Sequence, residues 1–294
     1  MLSILIPTYN YSLELLLPKL SKQIANVEQA VEVCICDDAS TQTELAAANK
    51  ELASALEFNY VGNTKNLGRT ATRELLATNA QYAWLLFLDA DVTLANNNFL
   101  ANYLAAISPN LDAVFGGIQY STTPPEASKM LRWQYGRMHE AKSVAARQKA
   151  PYFIISQNLL ITKNLFLKAN PEQIQGYGLD IAFSSALKTM EARILHIDNP
   201  VVHLGLETSK VFLDKTLKGL ETHIQLEQKG LIPINLRPMQ RVYLKLKKLG
   251  LIWVFKLGYG AFRNRIDSNL VSAKPNINYF NAYRLYHFIR LKAE

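Results

Sequence analysis

The chain carries only two cysteines in 294 residues, Cys34 and Cys36, both inside the run VEVCICDD. Their period-two spacing puts them on one face of an expected strand, where a disulfide between them is sterically disfavoured, and they lack the spacing of a cysteine metal site. They read as buried, reduced thiols. Long apolar runs are also missing. A spanning helix needs about 18 uninterrupted apolar residues, and the best stretch, Leu249–Phe262, is broken by Lys256 and three glycines. The opening MLSILIPTYN has no basic segment and reaches Pro7 at once, so no signal peptide is read there. A cytoplasmic location is expected, with attachment to the inner face of the cell membrane through the tail described below. Repeats and low-complexity segments are absent.

What is present is an apolar content of 49%, ample for a core, and a formal charge of +8. That charge is unevenly placed. Residues 237–294 hold 12 Lys or Arg against Asp267 and Glu294, a balance of +10, which leaves −2 for residues 1–236. No helix-turn-helix, finger or aromatic platform accompanies the basic tail, so nucleic acid is not an expected partner.

Short apolar runs alternate with amphipathic stretches: SILIP, VEVCIC, FNYVG, YAWLLFL and DAVFGGI, separated by segments such as Thr41–Leu56 and Arg69–Thr78. The alternation predicts an α/β fold, a Rossmann-like, mostly parallel sheet with flanking helices. Ligands of such sheets bind beyond the carboxyl ends of the strands. The polar residues there are Thr8, Tyr9 and Asn10, then Asp37 and Asp38, then Asn66, then Asp89 and Asp91. We divide the chain into a donor half at 1–120, an acceptor half at 121–236 and a basic helical region at 237–294.

LFLDADV carries the clearest chemistry. Two carboxylates two residues apart at a strand end can turn toward one hard cation, and Mg²⁺ or Mn²⁺ so bound completes its shell with phosphate oxygens and water. A diphosphate is the implied ligand.

Four segments, SILIPTYN, CICDDAST, NTKNLGRTATRE and FLDADV, follow one another in the order and spacing of the donor-site motifs of glycosyltransferase family 2, and the sequence resembles that family over roughly residues 1–210. The resemblance implies a GT-A fold and an inverting, nucleotide-sugar-dependent transferase. Carried over residue by residue, it makes Pro7, Thr8, Tyr9, Asp38, Asn66, Gly68, Arg69 and Asp89 donor-binding. Asp89, Asp91 and His203 become the metal set. Asp38 would accept from the base N–H, which suits the imide of uracil and favours a UDP-linked sugar. Gly68 would admit the nucleotide close to the backbone, and the helix starting at Arg69 would offer free N–H groups. An imidazole at His203 suits Mn²⁺ better than Mg²⁺. The family's acceptor motif usually ends in adjacent Glu and Asp; here GYGLDIAF keeps Asp180 as general base while Leu179 stands in the glutamate's place.

The expected reaction is transfer of a hexose-type unit to a glycan or lipid-linked acceptor hydroxyl. A sugar-phosphate nucleotidyltransferase would carry a Gly-rich, basic loop after its first strand, which YNYSLELLLPK lacks. A degenerate binding module is the other alternative, suggested by Leu179. In MQRVYLKLKKLGLIWVFK, Val242, Leu246, Leu249 and Trp253 recur at helical spacing beside Lys245, Lys247, Lys248 and Lys256, which predicts an amphipathic helix able to lie on an anionic membrane surface.

Overall fold

The structure, a computed structural model, describes residues 1–170 and 176–293. Its strands are β1 (Leu2–Thr8), β2 (Val31–Asp37), β3 (Asn59–Gly62), β4 (Trp84–Leu88), β5 (Val92–Leu94), β6 (Ala113–Phe115), β7 (Ile118–Gln119), β8 (Asn158–Thr162), β9 (Ile194–His196) and β10 (Val201–His203). Its α-helices are α1 (Leu17–Ile24), α2 (Thr43–Ala55), α3 (Arg69–Asn79), α4 (Phe99–Ala106), α5 (Met130–Tyr135), α6 (Val144–Gln148), α7 (Lys163–Ala169), α8 (Asp180–Thr189), α9 (Ser209–Gln228), α10 (Pro238–Lys248), α11 (Ile252–Leu270) and α12 (Ile277–Leu291).

The main sheet runs β3-β2-β1-β4-β8-β6-β9. Strands β1 to β4 are mutually parallel and β8 runs antiparallel between β4 and β6. A strand covered on both faces needs apolar residues at every position. Up to Ile6, β1 meets that demand except at Ser3, with Leu2, Ile4, Leu5 and Ile6 all fully buried and the buried Ser3 hydroxyl donating to Glu32. The register Pro7↔Cys36 and Thr8↔Asp37 brings the ends of β1 and β2 level, and the crossover helices α2 and α3 start just beyond them. Both cysteines are free, and burial pushes each thiol up to about 11. A second sheet, β5-β10-β7, pairs β10 antiparallel with β5 and parallel with β7. The β5 strand, directly after the DAD turn, went unread in the sequence.

Two compact units emerge. The first comprises Met1–Ser121, Glu140–Gln175 and Ala186–Gly205, and holds both sheets. The second comprises Thr122–His139, Gly176–Ser185 and Leu206–Glu294. It is helical with an aromatic core: Leu131, Phe212, Tyr259, Ile266, Leu270 and Phe280 cluster, Phe212 stacks on Phe280 at 5.3 Å and Tyr259 on Tyr286 at 4.1 Å. Thus the basic tail packs with α5 and α9 in one unit. Beside that core, Glu227 is buried and held by His223, Gln240 and Lys292.

The single amphipathic helix expected over 239–256 is two helices. Gly250, at φ +67°, ends α10. Its N–H donates to the Lys247 carbonyl at 3.2 Å and the Leu251 N–H to the Leu246 carbonyl at 2.9 Å, the paired bonds of a Schellman stop.

Candidate donor and metal site

At the end of β1, Thr8 is buried and its hydroxyl donates to the Tyr11 carbonyl at 3.3 Å. It braces the loop from beneath, whereas Pro7 is half-buried and Tyr9 exposed. Asn10 takes up φ +50°, and its Oδ1 accepts from the N–H groups of Thr41 and Gln42 at 2.9 and 3.0 Å. The start of α2 is therefore capped from another strand end.

The neighbouring carboxylates divide their tasks. Asp37 closes its own turn, accepting from the Ser40 N–H at 2.8 Å, and takes the Tyr60 hydroxyl at 2.9 Å. Asp38 reaches across to the loop before α3: Oδ1 accepts from Asn63 Nδ2 at 2.9 Å and the Leu67 N–H at 2.8 Å, Oδ2 from the Gly68 N–H at 2.8 Å. Asp38 thus shapes the NLG loop. Gly68 needs no side chain for its φ of +84°, and a Cβ there would meet nothing within 4 Å, so the space beside the start of α3 is open. Asn66 and Arg69 are exposed on the same loop.

Asp89 follows β4 and is held by two guanidinium groups. Arg69 donates to Oδ2 at 2.8 Å and Arg73 to Oδ1. Arg73 is buried and also donates to the hydroxyl and carbonyl of Ser156. Arg69 and Arg73 are four residues apart on α3 and so share a face. Neither Arg73 nor Ser156 was picked out in the sequence; the NLGRTATRE spacing offered a signal for the first, but nothing local marks the second.

Asp91 faces elsewhere. The antiparallel register His203↔Val92 places the end of β10 beside the DAD turn. His203 Nε2 lies 3.1 Å from Asp91 Oδ2, and the Leu204 N–H donates to the Asp91 carbonyl at 2.8 Å. His203 is buried, its ring edge-on to Tyr120 at 5.3 Å. Its Nδ1 has no hydrogen-bond partner among the described residues. Gly205 completes the contact, since a Cβ there would come within 2.1 Å of Asp91 Oδ2 and 2.7 Å of Asp91 Cβ. Gly205, two residues after His203, was not picked out in the sequence. Tyr11 stands near enough that the Asp91 charge, after burial, helps to raise its phenol above the ordinary value.

The trio of Asp89, Asp91 and His203 is not assembled: among the described residues no three His, Cys, Asp or Glu converge to hold a cation. The arginines of α3 have drawn Asp89 to their side. The remaining pair still fits a divalent ion, because one carboxylate and one imidazole are a suitable donor set for Mn²⁺ when diphosphate oxygens and water fill the other positions.

In the second unit, Asp180 is the first residue of α8, following Gly178 at φ +89°. Leu179 is buried, so the position where family 2 usually has glutamate here carries an apolar anchor. The Asp180 charge is felt by half-buried Arg237, whose guanidinium desolvation would otherwise lower further.

Residues 3–166, more than half of the chain, match glycosyl transferase family 2. A search of curated proteins returns no significant match. Among solved structures, the chain is similar to a mannosyltransferase from Pyrobaculum calidifontis in complex with GDP-Man and Mn²⁺, at TM-score 0.60 and 16% identity over 99% of this chain and 86% of that one. It is also similar to glucosyl-3-phosphoglycerate synthase from Mycobacterium tuberculosis with Mg²⁺ and UDP, at TM-score 0.53 and 14% identity over 80% and 81%. TarS of S. aureus with UDP-GlcNAc gives TM-score 0.50 and 19% identity over 75% and 66%. A mostly parallel sheet with a DAD turn at the end of its central strand is therefore the GT-A fold, and the chain belongs to glycosyl transferase family 2.

Proposed function

We propose that the chain is a metal-dependent, inverting hexosyltransferase that moves a sugar from a UDP-linked donor to a hydroxyl of a glycan or lipid-linked acceptor. The observation that carries the reading is the Asp91–His203 pair at 3.1 Å, set by the β5–β10 register at the DAD turn. Asp91 and His203 hold Mn²⁺, or Mg²⁺ less well. When bound, the cation offsets the negative charge of the departing diphosphate. The positive end of the α3 dipole, with Gly68 at its entrance and the Arg69 guanidinium beside it, binds phosphate oxygens.

Asp38 already accepts three hydrogen bonds, and a carboxylate offers about four lone-pair sites. The remaining site takes the imide N–H of uracil, with Tyr9 and Pro7 against the ring. Asp180 takes the proton of the acceptor hydroxyl as its oxygen attacks the anomeric carbon, a single displacement that needs no protein nucleophile. UDP and Mg²⁺ in the M. tuberculosis enzyme and UDP-GlcNAc in TarS support the donor choice. The P. calidifontis enzyme, with GDP-Man, marks the competing base.

The test is nucleotide binding by calorimetry and melting, with UDP or GDP, in Mn²⁺ or EDTA, followed by UDP release from a series of UDP-sugars. A ligand at about 100 times its Kd should stabilise the chain by about 2.7 kcal/mol. Binding of UDP only in Mn²⁺, with UDP release on adding acceptor, is the expected result. Preference for GDP would overturn the donor assignment, binding in EDTA would overturn the metal, and binding without any turnover would leave a binding module.

A further inference from the structure

The α10–α11 elbow exposes a cluster of large apolar side chains that the folded chain leaves uncovered. Leu249 is 56% exposed, Leu251 41%, Trp253 68%, Val254 43% and Leu257 68%. The inner face of α11 is already committed, through Tyr259, Ile266 and Leu270, to the aromatic core of its unit. On α10, Tyr243 is likewise used inward, against Phe288 at 5.4 Å. The apolar residues at the elbow are therefore a second, outward set, and a surface helix in water would carry charge there.

Lysines frame this set. Lys245, Lys247 and Lys248 fill the last turn of α10, and Lys256 lies one turn into α11. No Asp or Glu occurs anywhere from residue 228 to residue 266, a stretch with nine Lys or Arg. Among the described residues no helix is long and apolar enough to cross a membrane.

We propose that the α10–α11 elbow docks on an anionic lipid surface, inserting Leu249, Leu251, Trp253, Val254 and Leu257 at the level of the headgroups while the four lysines meet lipid phosphates. The Schellman turn at Gly250 makes this possible, because it ends α10 between Leu249 and Leu251 and starts α11 with Trp253 and Leu257 four residues apart, on one face. Indole sits well at such an interface, apolar on one side and wet on the other, and lysine stems can lie along the apolar surface with their ammonium groups in the phosphate layer. A second copy of the chain is a poorer occupant. A symmetric contact would set two copies of the same lysine cluster together with no carboxylate between residues 228 and 266 to offset them.

Sedimentation of the full chain with vesicles tests the proposal, comparing phosphatidylcholine alone with phosphatidylcholine containing phosphatidylglycerol, at low and high salt. The chain should pellet with the anionic vesicles only, and less in high salt. Lys245→Gln/Lys247→Gln/Lys248→Gln should reduce partitioning roughly a hundredfold at low salt, from about one ammonium's worth of attraction at each position. Trp253→Ser/Leu257→Ser should abolish pelleting while melting as the parent does, since both side chains face outward. Equal pelleting with both vesicle types, pelleting with neither, or unchanged pelleting of the serine variant overturns the proposal. So does self-association without lipid on a sizing column that the serine variant loses, which would make a second copy the occupant. No donor or acceptor is present, so the outcome is independent of the transfer reaction.

Discussion

Asp89 and Asp91 are the same residue type, two positions apart on one turn, and the fold gives them opposite companions. Asp89 is compensated by two guanidinium groups, one buried and one exposed, which stay charged at any working pH. Asp91 is met by an imidazole, which as a neutral ring is a metal ligand. One carboxylate therefore ties α3 to the strand end, while the other is the one that the proposed function assigns to a cation. Reading an Asp-x-Asp motif as two equivalent metal ligands misses this. Which helix or strand end lies opposite each position decides what each carboxylate is for.

The contrast is broken most severely at Asp91. Asp91→Ala should drop transfer by roughly a thousandfold or more and remove the Mn²⁺ dependence of UDP binding. Calorimetry with and without the metal checks it, and unchanged Mn²⁺-dependent affinity would take Asp91 out of the site. Next in size is a control outside the motif: Asp180→Asn should keep UDP and Mn²⁺ binding while turnover falls about 10²–10⁴-fold, the usual worth of a positioned base. Steady-state rates at saturating donor give the answer, and near-normal rates would move the base elsewhere.

Gly205→Ala sharpens the contrast without touching either carboxylate. The added methyl must push Asp91 aside, so the apparent affinity for Mn²⁺ should weaken about 10–100-fold, as for other disturbances of a ligand's setting. A Mn²⁺ titration of UDP release measures it; no change would mean that the 203–205 segment yields freely. Smallest in consequence for chemistry is the stability comparison. Asp89→Asn leaves buried Arg73 undercompensated and should cost roughly 2–4 kcal/mol, less than a fully buried pair because Arg69 is solvated. Asp91→Asn should cost less than about 1 kcal/mol. Urea denaturation of the two variants side by side decides, and equal losses would erase the distinction.

Much of the first unit was legible because its strands must be apolar at consecutive positions and its helices must not. SILIP, VEVCIC and YAWLLFL could be read as β1, β2 and β4 on that ground alone. β5 escaped because three residues after a turn carry too little pattern to distinguish from the turn. Asp38 was found, but its grip on Leu67 and Gly68 depends on a partner 30 residues away. The bond from Arg73 to Ser156 spans 83 residues and has no local trace at either end. The break at Gly250 was legible and overlooked: lysines in the last turn with a glycine two residues beyond Lys248 are a helix stop, and the leucines on both sides concealed it.

The two thiols of β2 have a practical consequence. Burial holds each well above the ordinary thiol range, so little of the reactive thiolate form is present at neutral pH. Cys36 is moreover fully enclosed. Both thiols should therefore react slowly with maleimides, the half-buried Cys34 less slowly than Cys36, and a cysteine introduced on an outward face of α11 should take a spin or fluorescent label ahead of them. The protein can be labelled as it stands, without first stripping its own sulfur from the sheet.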